Sequence, residues 1–216
     1  MKELKIIDDH EFLLGINRAI AEGRHVDQLK ERLEEYADYR QVLDPFFSRL
    51  HNPSNQIFTF LVTFDYSKVV TRTIEIHGKQ TFNQFAKEII SSMGWYNDHM
   101  HGFSLKNVPG KTPHEVHRFS WYAPYWEQDP YPTIFTDRVR IYYFDWITHP
   151  EIGFTFDYGD DHHFNIKLIG ARVPTSFEKQ TMFPRLVSHK GRAIAQYPGI
   201  NERTGEVKNI YKNYFD

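Results

Sequence analysis

Two short stretches of the chain concentrate histidines and carboxylates, the side chains most able to hold a metal or move a proton. His99 and His101 are two residues apart, so on a strand they share one face. Imidazole and carboxylate groups together form a workable ligand set for zinc, manganese or iron. If the two stretches are neighbours in a sheet, their side chains converge into one polar cluster. The cluster comprises Asp98, His99, His101, Asp160, Asp161, His162 and His163.

One interpretation of this cluster is a divalent-metal site in a metal-dependent, hydrolase-like enzyme. Its ligands would be His99, His101, Asp160 and His163. The alternative is structural, with the acids accepting hydrogen bonds from turn amides and the histidines bonding within the sheet. We favour the structural interpretation, and with it a protein that is not an enzyme and needs no cofactor.

Other catalytic patterns find little support in the sequence. The absence of cysteine excludes disulfides, thiolate metal sites and cysteine nucleophiles. The chain has no G-x-S-x-G elbow and no glycine-rich phosphate loop. His114 and His117 are three residues apart and follow Pro113, whereas the zincin helix needs a four-residue spacing. We therefore interpret residues 114–117 as a solvated loop.

Basic residues gather near the C-terminal end, where they alternate with aromatic residues. Arg185, Lys190 and Arg192 are the candidate contacts to a nucleic acid, since cations among stacking aromatics can hold single strands. The net charge of −2 argues against a general nucleic-acid coat. A solvated surface explains the same residues and is the preferred interpretation, with nucleic-acid binding kept as an alternative.

The first 50 residues have the three- and four-residue apolar spacing of amphipathic helices. Gly23 separates two such runs, and the pair Asp44-Pro45 predicts the end of the second and the start of a short third helix. Such helices serve either as an arm for a protein partner or a homodimer contact, or as a cover on the following domain. The cover is the simpler alternative.

After a linker at residues 51–55 the apolar period becomes two, which predicts strands. Residues 58–66 and 69–76 form a predicted hairpin, followed by a helix from Phe82 that ends at Gly94. Further strands are predicted from Met100, over residues 139–144, and on both sides of a turn at Gly159-Asp160-Asp161. The aromatic loop 119–135 is expected to fold back onto the sheet, and residues 174–216 have no clear period.

This order of elements, with three short motifs, resembles the plasmid pRiA4b ORF-3-like family. The motifs are Gly94-Trp95, Asp98-His99-Met100-His101-Gly102-Phe103 and Phe156-Asp157-Tyr158-Gly159-Asp160-Asp161, and the resemblance covers about residues 56–199. It implies a compact α+β domain on an antiparallel sheet, of plasmid or mobile-element origin and without an established reaction. Two departures are His162 in place of the family's tryptophan, and a later segment, 183–199, without the family's cysteine and acids.

The sequence thus predicts an α+β fold in two parts: a helical N-terminal extension over residues 1–52 and an α+β domain with a basic C-terminal tail over residues 53–216. The predicted role is a binding or interaction module whose working surface combines the His/Asp cluster with the aromatic loop. No signal peptide or membrane-spanning run is evident, so we expect a cytoplasmic protein that does not contact a membrane.

Overall fold

The computed structural model describes residues 6–7, 9–47, 52–106, 108, 110–112, 119–123 and 132–197. Within these residues two helices precede a sheet, and a third helix is inserted after its second strand. The helices are α1 (His10–Ala21), α2 (Val26–Phe47) and α3 (Phe82–Ser92). The strands are β1 (Ile57–Phe64), β2 (Ser67–His77), β3 (His101–Leu105), β4 (Ser120–Tyr122), β5 (Glu151–Phe156), β6 (His162–Arg172) and β7 (Arg185–Lys190).

The seven described strands form one antiparallel sheet in the order β4-β3-β5-β6-β1-β2-β7. The hairpin β1–β2 and the hairpin β5–β6 meet where β1 pairs with β6. The predicted α+β class with an antiparallel sheet, a packed helix and N-terminal helices is therefore confirmed.

Alternation along the strands gives the sheet two chemically different faces. One face, which we call the core face, buries large apolar side chains such as Phe60, Phe103, Phe154, Phe164 and Ile166. The buried residues of α2 and α3 belong to the same apolar cluster, so these helices cover the core face. The opposite face, which we call the polar face, carries Thr63, Ser104, Gly153, Thr155, His163 and Asn165 at paired positions.

Helix α3 begins with the capping box that the sequence predicts. The Thr81 hydroxyl accepts a hydrogen bond from the Gln84 backbone amide, and the Gln84 side chain accepts one from the Thr81 amide. At the other end Arg72 of β2 donates from Nε to the Ser92 carbonyl at 2.9 Å and from Nη1 to the Lys190 carbonyl at 3.0 Å. One buried guanidinium therefore joins the C-terminus of α3 to β2 and β7.

Helix α2 differs from the prediction, because it does not end at Pro45. It continues to Phe47 with Pro45 inside its last turn. Proline removes one backbone donor there, but Phe46 and Phe47 pack on the domain, with ring centroids 5.5 Å from Phe144 and Trp121 respectively. The predicted third helix is therefore the end of the second, and this end is part of the core.

Residues 139–144 also differ from the prediction, which gave a strand. They make a single bridge from Arg140 to Thr81 and then a 3-10 turn at Ile141–Tyr143. Ile141 and Tyr142 donate their backbone amides to the carbonyls of Gln80 and Gly78, so the segment pairs with a loop and not with the sheet. Strand β7, in contrast, falls in the tail for which the sequence predicted no clear element.

The aromatic loop is described only at residues 119–123 and 132–135. There it folds back as predicted: β4 pairs with β3, and the Tyr122 amide donates to the Ile134 carbonyl at 3.0 Å. The predicted loop 114–117, with His114 and His117, lies outside the described residues. No helix in the described ranges has the length and apolar character needed to cross a bilayer.

Candidate functional site

The two histidine- and acid-rich stretches are neighbours in the sheet, which is the condition for a common cluster. His101 of β3 lies opposite Phe156 of β5, and the Asp157 amide donates to the Met100 carbonyl at 3.0 Å. Phe156 lies in turn opposite His162 across the β5–β6 hairpin. His101, Phe156 and His162 therefore form one row on the core face, whereas His163 points to the polar face.

His101 is a buried core side chain with 3% of its surface exposed. Its Nε2 lies 3.1 Å from the Thr136 hydroxyl, and its ring contacts Phe103 and Phe154. Burial, with a smaller contribution from the Lys87 charge, lowers the pKa of His101 to about 4. The imidazole is therefore neutral at ordinary pH and serves the packing of the core.

His162 is fully buried. Its ring centroid lies 4.4 Å from that of Trp95, and its Nε2 donates to the Gln196 carbonyl at 3.1 Å. Burial lowers the pKa of His162, and the bond to Gln196 opposes that shift. His162 is thus an interior ring that also holds a distant part of the chain.

That distant part is the segment Ile194–Tyr197, which we call the returning segment. The Trp95 indole donates to the Ile194 carbonyl at 2.9 Å, and the Tyr96 amide donates to the Gln196 side chain at 2.6 Å. Gln196 Nε2 in turn donates to the Tyr96 carbonyl at 3.0 Å. The Gly-Trp motif therefore anchors the returning segment to the loop after α3.

Asp98 takes part in the same anchorage. Its two carboxylate oxygens accept hydrogen bonds from Gln196 at 2.8 Å and from the Tyr197 hydroxyl at 2.5 Å. The bond from Tyr197 lowers the pKa of Asp98, and the same bond raises the pKa of Tyr197 to about 12. Asp98 is thereby engaged with the returning segment and not with the other predicted ligands.

The turn between β5 and β6 is organised by Asp157, which was not among the candidates selected from the sequence. Asp157 has a φ of 55°, and its Oδ1 accepts hydrogen bonds from the amides of Gly159 and Asp160. Its Oδ2 lies 3.4 Å from Nε2 of His99, whose side chain is 45% exposed. Of the predicted cluster, Asp160 contributes its backbone amide to this turn.

His163 lies on the polar face in a chain of three polar side chains. Its Nδ1 is 3.0 Å from the hydroxyl of Thr155, its partner across the hairpin, and its Nε2 is 2.9 Å from Oδ1 of Asp161. The carboxylate of Asp161 is 58% exposed, whereas Thr155 is 8% exposed. The chain therefore runs from the turn into the body of the sheet.

A partly open cavity of about 250 Å³ lies on the polar face beside this chain. Its lining residues come from four adjacent strands and their ends: Asp65, Ser104, Lys106, Gly153, Phe154, Thr155, His163 and Phe164. Lys106 Nζ donates to Asn165 Oδ1 at 2.6 Å. Because Lys106 follows β3 and Asn165 is on β6, the lysine side chain crosses over β5 to reach it.

Two glycines allow side chains to lie close to the polar face. A Cβ at Gly153 would collide with the Ser104 hydroxyl and would lie 3.5 Å from Lys106 Cε. A Cβ at Gly102, directly after His101, would collide with the Tyr158 hydroxyl. The lack of a side chain at Gly153 therefore leaves room for the cavity, and its lack at Gly102 lets Tyr158 lie close to β3.

The geometry gives no support to a metal site formed by His99, His101, Asp160 and His163. His101 and His163 lie on opposite faces of the sheet, and His99 faces Asp157. Within the described ranges, no group of three or more His, Asp or Glu side chains is placed to hold a metal ion. The metal would also have to displace the buried hydrogen bond between His101 and Thr136.

The three candidate nucleic-acid contacts differ in whether an ion pair within the fold neutralises their charge. Arg185 donates to Glu75 at 2.5 Å and to Glu178 at 3.0 Å, so its charge is balanced within the fold. Lys190 and Arg192 are exposed. Of the predicted basic surface, these two side chains carry the charge that is directed to solvent.

The cavity residues Asp65, Ser104, Lys106 and Thr155 were not selected from the sequence. A signal for two of the lining residues was present: Thr155 and His163 alternate with apolar residues in the strands that flank the turn, so both belong to the non-core face. Asp65 and Lys106 follow strand ends, and only the strand order brings them to one place.

Comparison with known proteins agrees with this architecture. The model of the family described as plasmid pRiA4b ORF-3-like protein matches residues 56–213. The chain belongs to this family. The family match starts one residue before β1, so α1 and α2 precede it.

A crystal structure of a protein of unknown function from Methanosarcina mazei Go1 has a similar fold. Its TM-score is 0.55 at 17% sequence identity, and the match covers 73% of this chain and 78% of that one. At this identity the likeness shows the fold alone. No curated protein matches the chain.

Proposed function

We propose that this pRiA4b ORF-3-like protein is a binding module that takes a small polar ligand into the cavity on its polar face. The observation that carries the proposal is the meeting of an ammonium group, a carboxylate and three hydrogen-bonding side chains around one cavity of about 250 Å³. A concave site with a few convergent polar groups is the usual form of a small-molecule site.

The lining groups favour a ligand with both hydrogen-bond donors and acceptors. Lys106 has three ammonium hydrogens, one of which Asn165 accepts. Asp65, after β1, lines the same cavity, and its carboxylate accepts. The volume corresponds to roughly eight water molecules at about 30 Å³ each, which fits a molecule of the size of a small amino acid or carboxylic acid.

The residues around the turn support a structural role for the family's motifs and a binding role for the neighbouring polar face. Trp95, Asp98 and His162 are occupied with the returning segment. Their engagement would fix the end of the β5–β6 hairpin, and with it His163 and Thr155. This arrangement favours a rigid, preformed site.

Several predictions from the sequence remain predictions. They are the division at residue 52, a protein partner or homodimer through the N-terminal helices, a plasmid or mobile-element origin, and a cytoplasmic location. Nucleic-acid binding by Arg185, Lys190 and Arg192 and a metal-dependent hydrolase-like activity are alternatives that these contacts do not favour.

The proposal can be tested by filling the cavity with a side chain. Gly153→Val would project into the cavity where Ser104 and Lys106 now lie. Gly170→Val is the matched control, because Gly170 is also in a strand and its added Cβ would meet nothing within 4 Å. Both variants and the wild type would be screened by thermal shift with a panel of small amino acids, carboxylic acids and their esters.

A ligand at about a hundred times its Kd should stabilise the protein by about 2.7 kcal/mol, which raises Tm by roughly 5–10 °C for a chain of this size. We expect that shift in the wild type and in Gly170→Val, and its loss in Gly153→Val. A compound that raises the Tm of all three proteins equally would bind outside the cavity. If no compound in the panel shifts the wild type, the proposal is wrong for this class of ligand.

A further inference from the structure

The contacts that join Asp161, His163 and Thr155 place a hydroxyl group beside an imidazole, which is the arrangement of a nucleophile and its base. A carboxylate can only accept, so the 2.9 Å contact with Asp161 assigns the imidazole hydrogen to Nε2 of His163. Nδ1 then carries the lone pair, and it lies 3.0 Å from the Thr155 hydroxyl. The hydroxyl therefore donates its hydrogen to the base.

The fold holds each member of this chain in place. Thr155 and His163 are opposite one another in the β5–β6 register, so both side chains stand on the polar face. Asp161 ends the turn with a φ of 58°, and its carbonyl accepts a hydrogen bond from the Tyr66 hydroxyl at 2.9 Å. Its amide donates to the Asp157 carbonyl at 2.6 Å.

Thr155 and His163 both line the polar-face cavity, so a bound molecule would meet them together. Lys106 lines the same cavity and can offer ammonium hydrogens to an oxygen that gains negative charge. Acyl transfer needs a nucleophile within hydrogen-bond reach of a base, a third group that orients the base, and a hydrogen-bond donor for the oxyanion. These three parts are present around the cavity.

We propose that the cavity hydrolyses esters of small carboxylic acids, with Thr155 as nucleophile, His163 as general base and Asp161 as the positioning residue. This inference rests on the proposed function, because it requires the ester to occupy the cavity. The Thr155 oxygen forms a bond to the ester carbonyl carbon while its proton passes to Nδ1 of His163. Lys106 stabilises the carbonyl oxygen during this step.

The remaining steps balance with water as the only other reactant. The ester C–O bond breaks, and the leaving alkoxide takes the proton from His163 and departs as the alcohol. Water then attacks the acyl-threonine and gives its proton to His163. When the bond to Thr155 breaks, that proton returns to the threonine oxygen, and the carboxylic acid is released.

The volume of the cavity sets the size of the acyl group. Space for roughly eight waters admits an acetyl or propionyl ester but not a long chain. Because the cavity is partly open, the alcohol portion can extend into solvent. 4-Nitrophenyl acetate is therefore a suitable probe, and its coloured product reports the rate directly.

The decisive variant is Thr155→Val, which removes the hydroxyl and keeps the β-branched shape. Thr63→Val is the matched control, since Thr63 is on the same face and pairs with Asn165 but does not line the cavity. We expect Thr155→Val to lower kcat/KM for the acetate ester by at least about a hundredfold, and Thr63→Val and Thr155→Ser to remain active. Asp161→Asn should lower kcat and leave KM unchanged, because it changes the orientation of the base and not the binding of the ester.

Peptide mapping by mass spectrometry of the wild type mixed rapidly with the ester should place an acetyl group on Thr155. A wild-type rate equal to that of buffer, or equal rates for the wild type and Thr155→Val, would overturn the inference. If compounds still raise Tm in the wild type and not in Gly153→Val, the binding function stands and the reaction alone is refuted. Loss of both the Tm shift and the turnover would remove both proposals.

Discussion

Acidification from about pH 7 to about pH 5 should weaken the fold by about 2 kcal/mol through one side chain, His101. Burial lowers its pKa from 6.5 in the unfolded chain to about 4 in the folded protein. The unfolded state therefore takes up a proton before the folded state does. The contribution of His101 to stability is fully present above the unfolded value and is lost as the pH falls from 6.5 towards 4.

The magnitude follows from the gap between those two pKa values. Over the whole interval the loss is about 3 kcal/mol, at about 1.4 kcal/mol for each tenfold change in proton affinity, and more than half of it has occurred by about pH 5. His77 and His162 also have pKa values lowered by burial, so the wild type should lose more than His101 alone explains. The comparison must therefore be made between variants.

The assay is urea denaturation at a series of pH values, followed by tryptophan fluorescence, on the wild type, His101→Gln and His189→Gln. Glutamine places a polar group near the position of Nε2, so it can still reach Thr136, and it does not titrate. We expect the pH-dependent loss in His101→Gln to be smaller than in the wild type by about 2 kcal/mol. His189 is exposed on β7, and its variant should follow the wild-type profile. Equal losses in the wild type and His101→Gln would refute the reasoning.

Two further predictions concern stability. Gly191→Ala should destabilise the protein by about 2 kcal/mol or more, since its Cβ would lie 2.6 Å from the Val69 carbonyl oxygen. The control Gly110→Ala has a similar positive φ and no atom within 4 Å of its Cβ, so it should cost about 1 kcal/mol. Thermal denaturation of the two variants measures the difference, and equal Tm values would contradict the close approach of Gly191 to Val69. Leu43→Ala, at a fully buried position of α2, should cost about 2–5 kcal/mol in urea denaturation, and Leu14→Ala, at a 48% exposed position of α1, less than about 0.5 kcal/mol. A small effect at Leu43 would mean that the N-terminal helices contribute little to the core.

Much of the sheet could be predicted because its alternation is strong. The hairpins β1–β2 and β5–β6 follow from the two-residue period and the turn residues, whereas the adjacency of the two histidine-rich stretches was only a condition of the cluster hypothesis. The capping box of α3 is equally local, because its two partners are three residues apart. Interactions within a short window are visible in the sequence.

The two elements that were predicted wrongly depend on contacts between distant parts of the chain. Residues 139–144 alternate like a strand, but their amides bond to the loop after β2, which no local pattern reveals. Helix α2 passes Pro45 because Phe46 and Phe47 find partners in the distant core. In both places a contact far along the chain overrides the local signal.

The candidate site also depends on contacts that a local sequence pattern does not reveal. The adjacency of the two stretches was a condition of the cluster hypothesis, which also grouped His101 and His163 as ligands although they lie on opposite faces of the sheet. The assembly of Asp65, Lys106 and Thr155 around one cavity depends on the order of four strands. Such an order is a property of the whole topology and leaves no mark on a single segment.

The pairing of β1 with β6 has a consequence for synthesis on the ribosome. Ile57 pairs with Arg172, so the inner edge of the first hairpin has no partner until more than half of the chain has been translated. During that interval the nascent hairpin exposes both an unsatisfied strand edge and a row of phenylalanines. We therefore expect the emerging chain to recruit chaperones in this window, and its folding rate to be governed by the arrival of β6.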